Sequence, residues 1–263
     1  MHRHLTVLAL IALCACTTTQ PSVDLQSAEL IDLTWSFDET TLYWPTSPSA
    51  FEMKQLAYGQ TPGGYFYSSN AVCTPEHGGT HLDAPIHFAE GRRTADQIPL
   101  RQLIAPAIII DVADQAAASA DYRLSADDVR AWESRHGAIE PGTIVLLHTG
   151  WGTRWPDRKA YFGDDTPGAT DNLHFPSYGE DAARLLVDRR VAALGVDTAS
   201  IDYGQSRDFI VHRVANGADV PGFENVAHLE RLPTRGAWII ALPMKIAKGS
   251  GGPLRIVAAV PRR

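Results

Sequence analysis

Residues 77–87 read HGGTHLDAPIH and place three histidines and one aspartate within eleven positions. Gly78, Gly79 and Pro85 argue against an α-helix here, because glycine and proline are the poorest helix formers. The two histidines at i and i+4 therefore do not form the helical zinc pair of metalloproteases. The stretch follows a candidate strand at 65–73, and we expect it to be an irregular loop.

The spacing of polar side chains in this loop predicts a metal site. His81 and Asp83 lie two residues apart, which places both on one side of an extended segment. Gly78 and Gly79 let the backbone fold so that His77 reaches the same point. Imidazole and carboxylate ligands together suit Zn²⁺ or Mn²⁺.

Two other functions of the glycine pair fit the sequence less well. Residues 77–80, His-Gly-Gly-Thr, would serve as an oxyanion-hole loop only beside a Gly-x-Ser-x-Gly nucleophile elbow, which the sequence lacks. The glycines and serine at 249–252 have the wrong spacing for that elbow. The pair is also too short for a dinucleotide-binding loop. We therefore interpret these glycines as a tight turn.

The composition is that of a globular protein. The chain has 263 residues, of which 44% are hydrophobic and 20% charged. This length suits one large domain or two small ones, and no segment marks a second boundary. The formal net charge of −7 argues against a nucleic-acid partner, because such proteins usually present a basic face.

Residues 1–16 resemble an export signal that ends in a lipoprotein-type box. Arg3 precedes an apolar run at 5–13 that is too short to cross a bilayer as a helix. Cys16 would be the acylated residue, and 17–27 reads as a polar linker. We expect an exported protein that is periplasmic or anchored to a membrane by lipid.

Cleavage and acylation at this box would leave Cys73 as the only free cysteine of the mature chain. An internal disulfide framework is then excluded, even in an oxidising compartment. We expect Cys73 to be a small buried apolar residue.

Short apolar runs rich in β-branched residues predict strands, because each run is bounded by glycine, proline or aspartate. These runs lie at 65–73, 107–112, 143–148, 191–196, 237–242 and 255–260. Strands that alternate with helix candidates indicate a mixed α/β domain over 28–263.

Two segments between these strands predict helices. One spans 125–136 with Ser125 as its N-cap. The other spans 177–190, where Ser177 and Glu180 have the spacing of a capping box. The segment 157–175 is rich in glycine, aspartate and proline, and we expect a long surface loop there.

Residues 77–88 resemble the HxGTHxDxPxHF signature of the cyclase family, which contains the bacterial kynurenine formamidases and isatin hydrolases. The resemblance extends over nearly the whole mature chain and includes 42–45, 195–202 and 242–245. It implies an α/β fold, a single domain with a central mixed, barrel-like β-sheet flanked by helices. It also implies assembly as a homodimer or homotetramer.

The resemblance implies that His77, His81 and Asp83 bind one divalent metal, Zn²⁺ or Mn²⁺. In the formamidases a second ion is held at the positions of His212 and Glu224, with the aspartate bridging. In the isatin hydrolases the glutamate position differs and one manganese suffices, so Glu224 favours the formamidase arrangement. Spacing alone would assign His212 and Glu224 no role.

His87 is the fourth polar group of the motif, and we interpret it as a general base and then a general acid. An unperturbed imidazole titrates near neutral pH and can move a proton in both directions. The alternative role is a further metal ligand or a hydrogen bond to one. Asp197 and Asp202 follow a predicted strand, and either orient ligand histidines or cap the next turn.

The predicted substrate is a small aromatic amide or lactam, with N-formylkynurenine first and isatin second. Five aromatic residues could form an aryl pocket or belong to the core: Trp44, Tyr65, Phe66, Trp151 and Phe223. Two other classes stay open, namely a non-catalytic metal-binding lipoprotein and a cyclase or dehydratase of polyketide-like substrates.

Overall fold

Twelve β-strands and six α-helices lie along residues 23–262, the part of the chain that the computed structural model describes. The strands are β1 Glu29–Asp32, β2 Glu52–Gln60, β3 Phe66–Cys73, β4 His81–Asp83, β5 Ile104–Asp111, β6 Arg123–Leu124, β7 Ile144–His148, β8 Ser177–Tyr178, β9 Ala193–Val196, β10 Gly222–Glu224, β11 Arg235–Pro243 and β12 Gly251–Val260. The helices are α1 Leu100–Leu103, α2 Ala113–Ala118, α3 Ala126–His136, α4 Arg158–Phe162, α5 Glu180–Asp188 and α6 Ile210–Gly217.

Seven strands form a closed, barrel-like sheet. Their order is β12-β11-β5-β7-β9-β10-β4, and β4 pairs again with β12 to close the ring. The strands β5, β7, β9 and β10 run parallel, and the other pairs are antiparallel. Strand β1 pairs antiparallel with 257–260 of β12, beyond the residues 251–253 that pair with β4. The mixed, barrel-like sheet that the resemblance implies is therefore confirmed.

Side chains alternate between the two faces of each strand, so the sheet lies between two hydrophobic cores. On β5, Ile109 points into the ring and packs with Leu82, Leu146 and Phe223. Its neighbour Ile108 points outward and joins the cluster that α3, α5 and α6 complete on the outer face. Successive side chains of a strand alternate between faces, so one apolar strand supplies both layers. The short strand β4 is thereby held in a fully buried position.

Each predicted strand is present, and the helix at 125–136 is found at Ala126–His136. Its capping box is complete, because the Ser125 hydroxyl accepts from the Asp128 N–H and the Asp128 carboxylate accepts from the Ser125 N–H. The stretch 77–87 contains no α-helix, as predicted, but it is more regular than expected, since His81–Asp83 is a strand.

The predicted start of the second helix is wrong. Ser177 lies in β8, paired with β6, and its hydroxyl donates to the Ser200 carbonyl. The helix begins at Glu180 after Gly179, which makes no side-chain cap. The serine is fully buried and bonds across to a neighbouring segment, so its side chain cannot turn back onto the helix.

The expectation of a surface loop at 157–175 holds for 163–172, which are exposed or half-buried and form no helix or strand, but it is wrong at both ends of the segment. The segment contains α4, and Tyr161, Phe162 and Phe175 are buried in a third apolar cluster together with Trp151. Glycine, aspartate and proline mark its turns, but the aromatic residues between the turns decide its burial.

Cys73 is exposed, which contradicts the expectation of a buried thiol. It ends β3, which pairs with β2 in a separate two-stranded sheet outside the barrel. The predicted signal at 1–16, Cys16 and most of the linker 17–27 lie outside the described residues. Within residues 23–262, no helix has the length and apolar character needed to cross a membrane.

Candidate metal centre

Asp83 is the centre of a buried cluster of histidines. It ends β4, and its side chain is 1% exposed. Oδ1 lies 2.7 Å from His77 Nδ1 and 3.2 Å from His81 Nε2. Oδ2 lies 3.0 Å from His212 Nε2. One carboxylate thus faces three imidazoles, two from the quoted motif and one from α6.

Glu224 enters the cluster from β10. Its place is set by the antiparallel pairing of β10 with β4, in which Glu224 lies opposite His81. The carboxylate lies 3.2 Å from His212 Nε2 and 3.5 Å from His81 Nε2. The structure therefore brings together the five residues predicted as metal ligands, including the two that spacing could not identify.

Hydrogen bonds to the backbone and to a carboxylate orient two of the imidazoles. His81 Nδ1 donates to the Gly79 carbonyl at 3.0 Å, and His212 Nδ1 donates to Asp202 Oδ2 at 2.7 Å. Each bond directs the opposite nitrogen, Nε2, toward the Asp83 carboxylate. A donated proton on Nδ1 leaves Nε2 as the nitrogen that can bind a metal.

Asp202 performs both of the roles that the sequence left open. Besides His212, its carboxylate accepts from the backbone N–H groups of Val211 and His212 and so caps the first turn of α6. Asp197 orients no ligand histidine. Its carboxylate accepts from the N–H and hydroxyl of Thr149 instead.

The charges of the cluster favour a cation. Burial lowers the pKa of His81, but the Asp83 carboxylate and then Glu224 outweigh burial and raise this pKa to about 9. Burial likewise opposes protonation of His212, yet hydrogen bonds to three carboxylates raise its pKa well above the ordinary value. Burial and the charge of Asp83 raise the pKa of Glu224. In the metal-free protein, bound protons thus offset the negative charge of these carboxylates. A divalent cation can replace those protons.

The donor set fits one ion or two. His77, Asp83 and His87 offer ligand atoms within 4.8 Å of one another, and His81, Asp83 and Glu224 do the same. Asp83 belongs to both groups, as a bridging carboxylate would. Nitrogen and carboxylate oxygen are the ligands that Zn²⁺ and Mn²⁺ accept.

His87 lies beside the cluster, on the cavity. Its ring stacks on His77 with centroids 3.8 Å apart and an interplanar angle of 18°. Burial lowers the pKa of His87 to about 4, and the Asp83 charge only partly offsets this effect. The imidazole is then neutral near pH 7 and can accept a proton. This position suits a general base, and it also allows the alternative role of a ligand.

Ser250 and Glu76 complete the surroundings of His77, and sequence reasoning missed both. The Ser250 hydroxyl donates to Glu76 Oε2 at 2.6 Å, so its oxygen accepts from His77 Nε2–H at 2.9 Å. The other nitrogen, Nδ1, lies 2.7 Å from Asp83 Oδ1, where it donates in the metal-free protein, and it is the nitrogen that a bound cation would take in place of that proton. No local signal identifies Ser250, which lies 173 positions from His77 in sequence.

Replacing Ser250 by alanine is expected to weaken metal binding. The substitution removes the acceptor for His77 Nε2–H, and loss of such an orienting partner typically costs about 10–100-fold in metal affinity. Titration of the metal-free protein with Zn²⁺ or Mn²⁺ by calorimetry measures the effect. Ser27→Ala is the control, because that serine makes a similar bond to Asp24 on the surface. Equal affinities of the two variants would contradict this role of Ser250.

An apolar cavity of about 230 Å³ opens above the cluster. Besides the cluster itself, its walls include Leu42, Tyr43, Trp44, Phe88, Phe162 and Phe209. Of the five aromatic residues considered from the sequence, only Trp44 lines it. Tyr65 and Phe66 are exposed, and Trp151 and Phe223 are buried in the core. The aromatic walls come mainly from segments that fold over the barrel from elsewhere in the chain.

Comparison with known proteins places this site among hydrolases. The Cyclase family model matches residues 31–203, more than half of the chain. An isatin hydrolase of Roseibium aggregatum is 34% identical over 207 residues, which cover 76% of this chain and 77% of that protein. A kynurenine formamidase of Salinibacter ruber is 26% identical over 232 residues, covering 87% of this chain and 96% of that one.

Solved structures of isatin hydrolases share this fold. The crystal structure of an isatin hydrolase bound to the product analogue thioisatinate is 30% identical, with a TM-score of 0.83 over 90% of this chain and 94% of that one. An isatin hydrolase A from Ralstonia solanacearum is 31% identical, with a TM-score of 0.80 over 89% and 93% of the two chains. The chain is thus similar to these hydrolases over most of its length.

Proposed function

This chain belongs to the cyclase family, and on that basis we propose that it is a metal-dependent hydrolase that cleaves the C–N bond of a small aromatic amide. The observation that carries the proposal is the position of the buried cluster around Asp83 at the base of an aromatic cavity. The cluster provides ligands for a cation, and the cavity provides a place for an organic substrate beside it.

His77, His81, Asp83, His212 and Glu224 would hold the cation, which we take to be Zn²⁺ or Mn²⁺. When bound, such a cation polarises a carbonyl and lowers the pKa of water to about 7. Asp202 and Ser250 keep two of the imidazoles oriented toward Asp83. Because Asp83 belongs to both groups of candidate ligands, these residues could hold two ions that share its carboxylate, or a single ion.

His87 is the proposed proton carrier. It lines the cavity, stacks on His77 and is neutral near pH 7. In the proposed reaction one of its ring nitrogens takes the proton of the attacking water and then donates it to the leaving nitrogen.

The lining favours a neutral lactam, such as isatin, as the substrate. Among the described residues that line the cavity there is no lysine or arginine. The ammonium and carboxylate groups of N-formylkynurenine would need charged or well-hydrated partners, and burying them unpaired is costly. Isatin carries no charge and presents a flat ring that suits Trp44 and the phenylalanine walls. The isatin hydrolases among the relatives support this choice.

Arylformamidase activity on N-formylkynurenine is the second candidate, because Glu224 is present and lies in contact distance of two histidines of the cluster. Storage of metal without catalysis is less well supported, since a storage site needs no aromatic cavity beside it. A cyclase or dehydratase acting on a polyketide-like substrate shares the fold but gains no support from the two kinds of relatives described above.

Turnover of both amides by the metal-loaded protein separates these candidates. We expect the kcat/KM for isatin to exceed that for N-formylkynurenine by at least about 100-fold, because two unpaired charges would be buried with the latter. A reversed ratio would identify an arylformamidase. Hydrolysis of neither compound, in a protein shown to hold its metal, would contradict the proposed function and favour storage or the polyketide-type reaction.

A further inference from the structure

Asn225 is a buried residue of the cavity wall that the proposed mechanism does not use. It directly follows the candidate ligand Glu224 at the end of β10 and is 3% exposed. Its backbone is left-handed, with a φ of 53°. Asparagine is one of the few residues other than glycine that adopt this conformation without a large cost. A left-handed backbone beside a candidate ligand indicates that the direction of this side chain matters to the site.

The side-chain amide of Asn225 bonds to the loop that carries His81. Its Nδ2 donates to the Gly79 carbonyl at 2.7 Å, and the same carbonyl accepts from His81 Nδ1 at 3.0 Å. A carbonyl oxygen has two lone pairs, so it accepts both bonds. Gly79 is itself left-handed, with a φ of 55°, and a glycine alone places few limits on how its peptide turns. Asn225 therefore fixes the acceptor that orients His81.

A second hydrogen bond runs in the opposite direction between the same segments. The Thr80 hydroxyl donates to the Asn225 carbonyl at 2.7 Å. Thr80 and Asn225 flank His81 and Glu224, which lie opposite each other on β4 and β10 with their side chains 3.5 Å apart. The two bonds, Asn225 to Gly79 and Thr80 to Asn225, thus join the start of β4 to the end of β10. We call these two bonds the Asn225 staple.

Tyr161 determines which way the amide of Asn225 faces. The buried Tyr161 hydroxyl lies 2.9 Å from Asn225 Oδ1 and 2.9 Å from the Asp197 carbonyl. Because the Gly79 carbonyl can only accept, the amide nitrogen faces Gly79 and the amide oxygen faces Tyr161. Both polar atoms of the side chain are therefore paired, and a fully paired buried network of this kind holds its members rigidly.

We propose that Asn225 is a positioning residue of the metal centre, which holds His81 and Glu224 at the spacing that a cation needs. This role rests on the proposed function, because the two side chains act as ligands only when a cation binds between them. Asn225 acts through the Gly79 carbonyl and the Thr80 hydroxyl, without touching the cation or the substrate.

Binding of Co²⁺ to the metal-free full-length protein tests the proposal, measured by calorimetry and by the visible absorption of the bound ion. Asn225→Gly keeps the left-handed backbone and removes the side chain. We expect its Co²⁺ affinity to fall by about 10–100-fold, as for other partners that orient a ligand. We also expect its absorption bands to shift, because they depend on ligand geometry.

Arg190→Gly is the matched control, since Arg190 is an exposed left-handed residue with a φ of 58° between α5 and β9. It should bind Co²⁺ with the affinity and the bands of the unaltered protein. If Asn225→Gly lowered the melting temperature but matched Arg190→Gly in affinity and bands, its role would be stability alone and the proposal would be overturned.

A measurement on the metal-free protein separates this proposal from the proposed function. In protein labelled with ¹⁵N-histidine, the Nδ1 proton of His81 is identified by its loss in His81→Gln. This proton should exchange with solvent at least about 10-fold faster in Asn225→Gly than in the unaltered protein, because its acceptor is no longer fixed. An unaltered protein that showed this difference but bound no Co²⁺ would contradict the proposed function and still support the positioning of His81.

Tyr161→Phe keeps the test decisive if Asn225→Gly folds poorly. It removes one hydroxyl and leaves the aromatic ring in its apolar cluster. We expect a loss of about 5-fold in Co²⁺ affinity, the usual effect of one neutral hydrogen bond. An unchanged affinity in this variant would then overturn the proposal.

Discussion

Replacing His87 by alanine is expected to lower kcat by about 10²–10⁴-fold while the protein keeps its metal, which is the usual loss when a general acid–base group is removed. The physical reason is the position of the imidazole. It lines the cavity and stacks on His77, and its lowered pKa keeps the ring neutral near pH 7, so that one ring nitrogen has no proton and can accept one. Steady-state kinetics on isatin together with elemental analysis of the same sample measure both quantities.

The metal content decides between the two roles of His87. A general base can be removed without loss of the cation, whereas loss of a ligand lowers kcat and metal content together. His174→Ala is the control, because His174 is a surface histidine that pairs with Asp121. If His87→Ala turned over substrate like the unaltered enzyme, His87 would have no part in proton transfer, and a merely storing site would gain support.

Asp83→Asn should abolish both metal binding and turnover. The amide has nearly the shape of the carboxylate but no charge, and Asp83 belongs to both groups of candidate ligands. Since loss of a partner that only orients a ligand already costs about 10–100-fold in affinity, loss of this shared carboxylate should cost at least about 100-fold. Calorimetric titration with Mn²⁺ or Zn²⁺ measures the affinity, and circular dichroism verifies the fold.

Asp121→Asn is the matched control, because Asp121 faces a histidine on the surface, far from the barrel interior. Glu224→Gln provides a finer comparison. Glu224 belongs to only one of the two ligand groups, so this variant should keep an ion where Asp83→Asn keeps none. Retention of full metal affinity by Asp83→Asn would show that the cation lies elsewhere in the chain.

The local parts of this structure could be predicted from the sequence. Strands were found wherever short apolar runs were bounded by turn-forming residues, since burial inside a layered α/β domain requires such runs. The convergence of His77, His81 and Asp83 on one point followed from their spacing in an extended segment. The start of the second helix was missed, because a buried serine in Ser177–Tyr178 bonds to a neighbouring segment instead of the helix.

The distant parts of the site could not be predicted from spacing. Glu224 reaches His81 only through the register between β10 and β4, and His212 lies 129 positions from Asp83. The family resemblance identified those two residues, but it did not indicate Ser250 or the walls formed by Phe162 and Phe209. Such residues lie on chain segments that fold over the barrel. The local sequence pattern does not indicate which segments do so.

The most direct test of a cation held around Asp83 is elemental analysis of the purified protein, combined with activity before and after chelation. We expect one or two equivalents of zinc or manganese per chain, loss of hydrolysis when the metal is removed and recovery when it is restored. A chelated protein that contains no metal and still hydrolyses its substrate at the full rate would contradict the account.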